Sequence, residues 1–351
     1  YEFARYCLAE GHRFTIVASD LGYLTGRRIE GVRGCVTEQY IDGVRVLRAY
    51  TGPLLHRSFV WRVVSYVTFM FTSVWASLRA GRVHVVMGTS PPIFQAGSAW
   101  VVSAWRRRPF LLEVRDLWPD FAIGLGVLRN RVLIRMSRWL ERFLYARADH
   151  LIVNSPAYRD HLLQLGVPAD KVTVIPNGVD PDMFDPNAKG ERVRERWGLG
   201  GKFVVLYAGA LGLANDIPTI LRTARCLREH RTVQFLLVGD GKERPNLERL
   251  AQEWELTNVT FTGAQPKAEM PDYLAAADVC VATLQNIPMF RTTYPNKVFD
   301  YMAAGKPVIL AIDGVIREVI ETADGGVFVP PGDDAALAET VVGLECAPEE
   351  R

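Results

Sequence analysis

The chain has 351 residues, 49% of them apolar and 23% charged, with a formal net charge of +2. That length exceeds what one growing core accommodates, so two globular domains are expected. Cys7, Cys35, Cys226, Cys280 and Cys346 show no C-x-x-C spacing and no accompanying His cluster, which argues against a disulfide framework or a zinc site and fits a reducing compartment. The charge is uneven. Residues 1–180 hold 23 Lys and Arg against 14 Asp and Glu, and residues 181–351 hold 18 against 25. A basic front half suits a polyanion or an anionic membrane, or it is a chance of surface composition.

The opening run YEFARYCLAEGH already reads as a helix, so an earlier segment is expected. FTIVAS, VHVVMGTS, FLLEVRD and HLIVNS follow as short apolar runs, each succeeded by helical periodicity. The pattern restarts after residue 200 with FVVLYAG, VQFLLVGDG, VTFTG, VCVAT, PVILAI and GVFVP. Strands alternating with helices of this kind predict parallel sheets covered on both faces, hence two doubly wound α/β domains. The expected boundaries are 1–180, a linker at 181–200 rich in Pro and Gly signals, and 201–351. Ligands of open α/β sheets lie beyond the carboxyl ends of the strands, so a cleft between two facing domains is expected there.

Residues 59–78, FVWRVVSYVTFMFTSVWASL, approach the length of a membrane span, but Arg62 and several Ser and Thr interrupt them. A buried or membrane-apposed helix of the first domain fits better. LRNRVLIRMSRWLERFLYARAD carries Arg129, Arg131, Arg135, Arg138, Arg142 and Arg147 among Leu, Ile, Trp and Phe. Such a helix either lies on an anionic bilayer or presents a solvated arginine face over a core stripe.

Strand ends supply the candidate chemistry. Ser90 before Pro91 and Ser155 before Pro156 read as helix N-caps. Arg115 and Asp116 close the strand FLLEVRD; they would bind a phosphate and orient a hydroxyl, or pair with each other. Gly209 and Gly212 in LYAGALGLAND, and Gly239 in VGDGKER, allow close backbone approach but match no phosphate-loop motif. In YPNKVFDYM, Pro295 starts a helix whose first amides lie near Asn296 and Lys297. A diphosphate would rest there against Lys297, with Asp300 one turn on accepting ribose hydroxyls. Alternatively, Asp300 only complements the helix dipole and Lys297 is solvated.

Four stretches together carry a resemblance: EVRDLWPD; VIPNGVDPDMF; LLVGDGKERPNLERLAQEWELTNVTFTGAQPKAEMPDYLAAADV; and YPNKVFDYMAAGKPVI. In order and spacing, over nearly the whole chain, they resemble retaining glycosyltransferases of family 4. These have the GT-B fold of two facing Rossmann-like domains. The nearest likeness is to bacterial enzymes of surface-polysaccharide assembly, including the N-acetylfucosaminyl transferase-like group. The resemblance implies a nucleotide-diphosphate sugar in the second domain and an acceptor in the first. It also implies no metal cofactor, so that a helix end and basic side chains stabilise the leaving diphosphate. Asp300 matches the ribose-binding acid of the family's paired motif, Gly263 and Gln265 would frame the base, and Gly209 would approach the phosphates.

Three departures stand out. The first acid of the paired motif falls at Thr292, the diphosphate-clamping Arg and Lys fall at Ala210 and Asn215, and the first-domain His falls at Arg115. Lys297 and Arg291 are the candidate replacements for the missing cations. The resemblance also implies that a first strand and a closing helix are absent from this sequence. The resulting expectation is transfer of a sugar, from a UDP-sugar, to a lipid-linked or polysaccharide acceptor in bacterial cell-surface glycan synthesis. The protein would be cytoplasmic and peripheral on the inner membrane face, with no nucleic-acid partner. The alternatives are a non-catalytic GT-B partner subunit and a UDP-sugar 2-epimerase-like isomerase. The latter needs a catalytic histidine, and none of His12, His56, His84, His150, His161 and His230 sits at an obvious cleft position.

Overall fold

The computed structural model describes residues 2–22, 26–52 and 59–347, without the side chains of Phe59, Val60 and Arg62. Tyr1, His56 and the Arg62 side chain, all used above, lie outside that description. The chain divides into two compact units, Tyr1–Asn154 with Arg159–Ile175, and Ser155–Tyr158 with Pro176–Arg351.

The first unit carries two sheets. β1 (Thr15–Ser19), β2 (Val36–Ile41) and β3 (Val44–Ala49) form one in the order β1-β3-β2. β1 and β3 pair in parallel, but β2 and β3 form an antiparallel hairpin. This departs from the all-parallel expectation, and the cause is local. Asp42 and Gly43 both have positive φ, +46° and +81°, as a tight two-residue hairpin turn requires. β4 (Val86–Ser90), β5 (Phe110–Val114), β6 (His150–Val153) and β7 (Val172–Val174) form a second, wholly parallel sheet in chain order.

The apolar run 59–78 is one helix, Phe59–Leu78, which buries Phe69 and Ala76 with Leu47 and Ala49 of β3. Among the described residues, no helix is long and apolar enough to cross a membrane. The basic segment is the helix Arg131–Arg147, capped by the Asn130 side chain, which accepts from the Val132 and Leu133 amides. Phe143 packs edge-on against Trp100 of the helix Ile93–Arg106, at 4.8 Å between centroids.

The second unit holds a single parallel sheet of β8 (Phe203–Ala208), β9 (Val233–Val238), β10 (Val259–Gly263), β11 (Val279–Thr283), β12 (Val308–Ala311) and β13 (Gly326–Phe328). Its order is β10-β9-β8-β11-β12-β13. These are the six apolar runs read after residue 200. Val204 to Tyr207 of β8 are fully buried, as are Phe235 to Leu237 and Val279 to Ala282. Each large apolar side chain enclosed in this way contributes about 1.5–3 kcal/mol, so the sheet is a rigid base for the turns at its edge. The chain runs outward from β8 to β10, then returns to lay β11 on β8's other side. Such a reversal opens a crevice at the carboxyl ends of the two central strands.

The segment expected as a linker, 181–200, instead folds with the second unit. Arg194 pairs with Asp278 at 2.7 Å, and the Trp197 indole N–H donates to the Tyr273 hydroxyl at 3.2 Å. The division therefore falls at Ile175 rather than after residue 180.

Candidate functional site

The helix Asn296–Ala303 begins directly after Pro295, as expected from the sequence. What fixes it in the second unit is Tyr301, which is fully buried. Its hydroxyl accepts from the Ala208 amide at 2.8 Å and donates to the Ala208 carbonyl at 3.2 Å. One side chain thus bolts the helix to the last residue of β8. Lys297 lies one turn back and is aimed at the turn that leaves this strand.

Lys297 Nζ donates to the Tyr207 hydroxyl at 2.8 Å and to Asn215 Oδ1 at 3.0 Å, and it lies 4.2 Å from the centre of the Tyr207 ring. The Tyr207 hydroxyl in turn donates to the Ala210 carbonyl at 2.9 Å. Burial pushes the Tyr207 hydroxyl well above its ordinary range, so it stays protonated and cannot act as a counter-ion. No carboxylate pairs with Lys297 among the described residues. Lost hydration lowers the ammonium to about pKa 7. The residue as a whole keeps some exposure, so that value reflects crowding around Nζ rather than complete enclosure.

Gly209 explains why this cation stays reachable. Its φ is +155°, and a Cβ there would lie 3.1 Å from Lys297 Nζ. The Gly209 amide is spent on the Val238 carbonyl at 2.9 Å, so its contribution is space rather than a donor. Gly239 has φ +141°, and a Cβ would fall 1.9 Å from the Gly209 carbonyl oxygen. Close packing of two strand-end turns is thus a sufficient reason for that glycine. Gly212, with φ −118°, precedes the short 3₁₀ turn Leu213–Asn215 and carries no strain.

The remaining candidates are dispersed. Gly263 ends β10, and its carbonyl accepts from the Gly239 amide at 2.9 Å. Gln265 Nε2 donates to the Thr262 carbonyl at 2.8 Å. Asn296 is exposed, and Asp300 is partly buried one turn beyond Lys297. Arg291 does not join Lys297. Its guanidinium lies 3.7 Å from Asp313, a carboxylate also approached by Arg317 at 3.8 Å. The Thr292 carbonyl accepts from Ser155 Oγ at 2.6 Å, and the helix Pro156–Gln164 starts directly after Ser155, which therefore stands at the N-cap position expected of it. Ser90 is no cap; it is the buried last residue of β4, and the next helix starts only at Ile93.

Arg115 and Asp116 belong to the first unit, just past β5. The Arg115 amide donates to the Ser90 carbonyl at 2.8 Å, and its carbonyl accepts from Asn154 at 3.1 Å, which gathers the ends of β4, β5 and β6. Both residues are exposed, and their side chains form no ion pair among the described residues. Crowding still raises the Asp116 carboxyl to about pKa 6, with Arg115 opposing the shift.

Comparison with known proteins identifies the scaffold. A model described as "Glycosyl transferase 4-like domain" matches residues 1–178, and one described as "Glycosyl transferases group 1" matches residues 202–345. The chain belongs to the family 4 glycosyltransferases. Probable glycosyltransferase WbjE of Pseudomonas aeruginosa is 27% identical over 302 residues, 79% of this chain and 69% of that one. Other curated relatives are matched over 44–64% of their own lengths. Sucrose-phosphate synthase (tll1590) from Thermosynechococcus elongatus superposes with a TM-score of 0.78 at 21% identity, covering 99% of this chain and 84% of that one. Anabaena Alr3699/HepE, solved in complex with UDP and glucose, gives 0.69 at 20% identity, covering 88% and 78%. These likenesses establish GT-B as the fold of the family member described here.

Sequence reasoning named Lys297 but missed its two holders. Asn215 reads in sequence only as a lost cation. A tyrosine ending the otherwise apolar FVVLYAG was the available signal for Tyr207.

Proposed function

We propose that this family member transfers a sugar, with retention, from a nucleotide-diphosphate donor of the UDP type to a lipid-linked or polysaccharide acceptor in surface-glycan synthesis. The observation that carries the reading is the Lys297 ammonium, held by two neutral oxygens with no carboxylate among the described residues, at the turn beyond the central strand β8. A cation in that state gains most from an anion, and a diphosphate is the group that develops charge as its bond to the sugar breaks. In this reading the acceptor hydroxyl oxygen forms the new bond to the anomeric carbon, the diphosphate leaves with the electron pair of the broken bond and takes up the hydroxyl proton, and Lys297 stabilises the departing oxygens. The stabilising charge comes from the chain's own groups rather than from a metal. Asp300 takes the ribose hydroxyls, while Arg115 and Asp116 of the first unit orient the acceptor. The UDP complex of HepE supports a nucleotide diphosphate in this fold.

The same reading includes an anionic membrane as the place where a lipid-linked acceptor is met. The helix Arg131–Arg147 supports it. It bears five arginines against one acid, Glu141, which is buried and raised to about pKa 7. Val132, Met136 and Trp139 stand exposed among those arginines, which a merely solvated charged face does not require.

Calorimetric titration with UDP, with GDP in parallel and Asp300→Ala as control, tests the donor assignment. Binding of UDP that the variant loses is the expected result. No binding of either nucleotide overturns the assignment, and binding without turnover on any acceptor favours a non-catalytic partner subunit.

A further inference from the structure

An ammonium that organises an anion site must be fixed in position without being neutralised. A carboxylate 3 Å away would do the first and defeat the second, whereas neutral oxygens do only the first. Asparagine and aspartate have nearly the same shape, so the choice between them at position 215 sets the charge of the site while leaving its outline intact.

We infer that Asn215 is a positioning residue whose amide oxygen holds Lys297 Nζ in place while leaving its charge for the diphosphate, and whose amide nitrogen is a second donor to that group. This rests on the donor-site reading above. An ammonium carries only donors, so Oδ1 must face it at 3.0 Å and Nδ2 must turn away. Nδ2 makes no hydrogen bond among the described residues, and it is not among their buried, unpartnered atoms. Lys297 uses two of its three N–H groups, on Tyr207 and Asn215, which leaves one for a ligand. The site therefore offers three unused N–H donors, one on Lys297 and two on Asn215 Nδ2, beside one uncompensated positive charge.

The backbone at Asn215 is fixed independently of its side chain. Its amide donates to the Gly212 carbonyl at 3.0 Å, and its carbonyl accepts from Thr283 Oγ1, at the end of β11, at 2.5 Å. The neighbouring Ala214 carbonyl accepts from the Gln285 amide at 2.9 Å. Substitution at 215 should accordingly change the charge at the site without dismantling the turn.

The test is UDP calorimetry combined with thermal unfolding on the whole chain, comparing wild type with Asn215→Asp and Asn215→Ser. Aspartate gives the crowded ammonium a counter-ion, so Tm should hold or rise while UDP affinity falls at least tenfold. Serine keeps a neutral oxygen and should lose less affinity than aspartate. A purely structural role for Asn215 would move Tm and affinity down together, and that result overturns the inference. Unchanged affinity in the aspartate variant, or equal losses in both variants, also overturns it. Failure of wild type to bind either UDP or GDP is a separate outcome, which sinks the donor-site reading and this inference with it.

Discussion

Two cationic regions of this protein apply the same charge in opposite ways. In the second unit a single ammonium, Lys297, is crowded, held by two neutral oxygens and paired with no carboxylate among the described residues. In the first unit the helix Arg131–Arg147 spreads five arginines over an exposed face beside Trp139 and Met136. A crowded point charge acts through geometry at hydrogen-bond range and is little affected by salt. An exposed array acts as a field, and the field decays within a Debye length of roughly 8–10 Å. The first kind of site selects a ligand, and the second collects a surface.

The contrast breaks most readily at the array. Replacing Arg131, Arg135 and Arg142 together by Ala should cost about 3 kcal/mol of affinity for phosphatidylserine vesicles, at roughly 1 kcal/mol each. Sedimentation with vesicles at low and high salt measures it. Wild-type binding that ignores salt, or is absent, removes the membrane from the function.

Lys297→Met is next in size. Loss of a charge-assisted contact worth about 1.5–3 kcal/mol should weaken UDP binding about 10- to 100-fold. The Tm should hold, because a charge without a counter-ion has been removed. A fall in Tm with unchanged affinity would assign Lys297 to the fold instead.

The pH dependence sharpens the difference. Folded Lys297 titrates near 7, against an ordinary value of 10.5. Between those values the unfolded chain binds the extra proton, so this group's contribution to stability rises with pH across the window and is flat below it. Donor affinity runs the other way and should fall by up to about fivefold between pH 7 and 8, as the free site loses its charge. Vesicle binding through arginines should not change over that range. Calorimetry at the two pH values compares both.

The smallest effect on donor affinity is expected at Tyr301→Phe. Two hydrogen bonds to Ala208 are lost, which should cost about 1–3 kcal/mol of stability, with a modest loss of UDP affinity as the helix loosens. Chemical denaturation reads the first and calorimetry the second.

How much of this could be seen in sequence depended on whether the controlling interaction was local. The strands β8, β9, β11 and β12 of the second unit are visible as apolar runs because burial on both faces leaves no alternation to confuse. The hairpin carried its own signal in Asp42-Gly43, and weighing the βα pattern alone hid it. The helix cap expected at Ser90 failed because that serine is claimed by a sheet, whereas a helix does open on Pro156 directly after Ser155. Lys297 was legible, but its setting was not, since its partners lie 90 and 82 positions away. Arg291 looked equivalent to it in sequence, and only Asp313 separates the two cases.

The pairing of β8 with β11 has a consequence for the order in which the molecule is made. Those strands are neighbours in the sheet, yet β9, β10 and their helices are synthesised between them. A nascent chain that has completed β10 holds β8 with one edge bare, and such an edge is a template for wrong partners. Tyr207 and Asn215 then wait for a lysine that the ribosome has yet to add. A nucleotide can stabilise only the species that binds it, so it can reward completion of the sheet but cannot guide the first half of it. A nucleotide bound as proposed would therefore act on the biogenesis of this domain at the last step, as a lock closed after assembly.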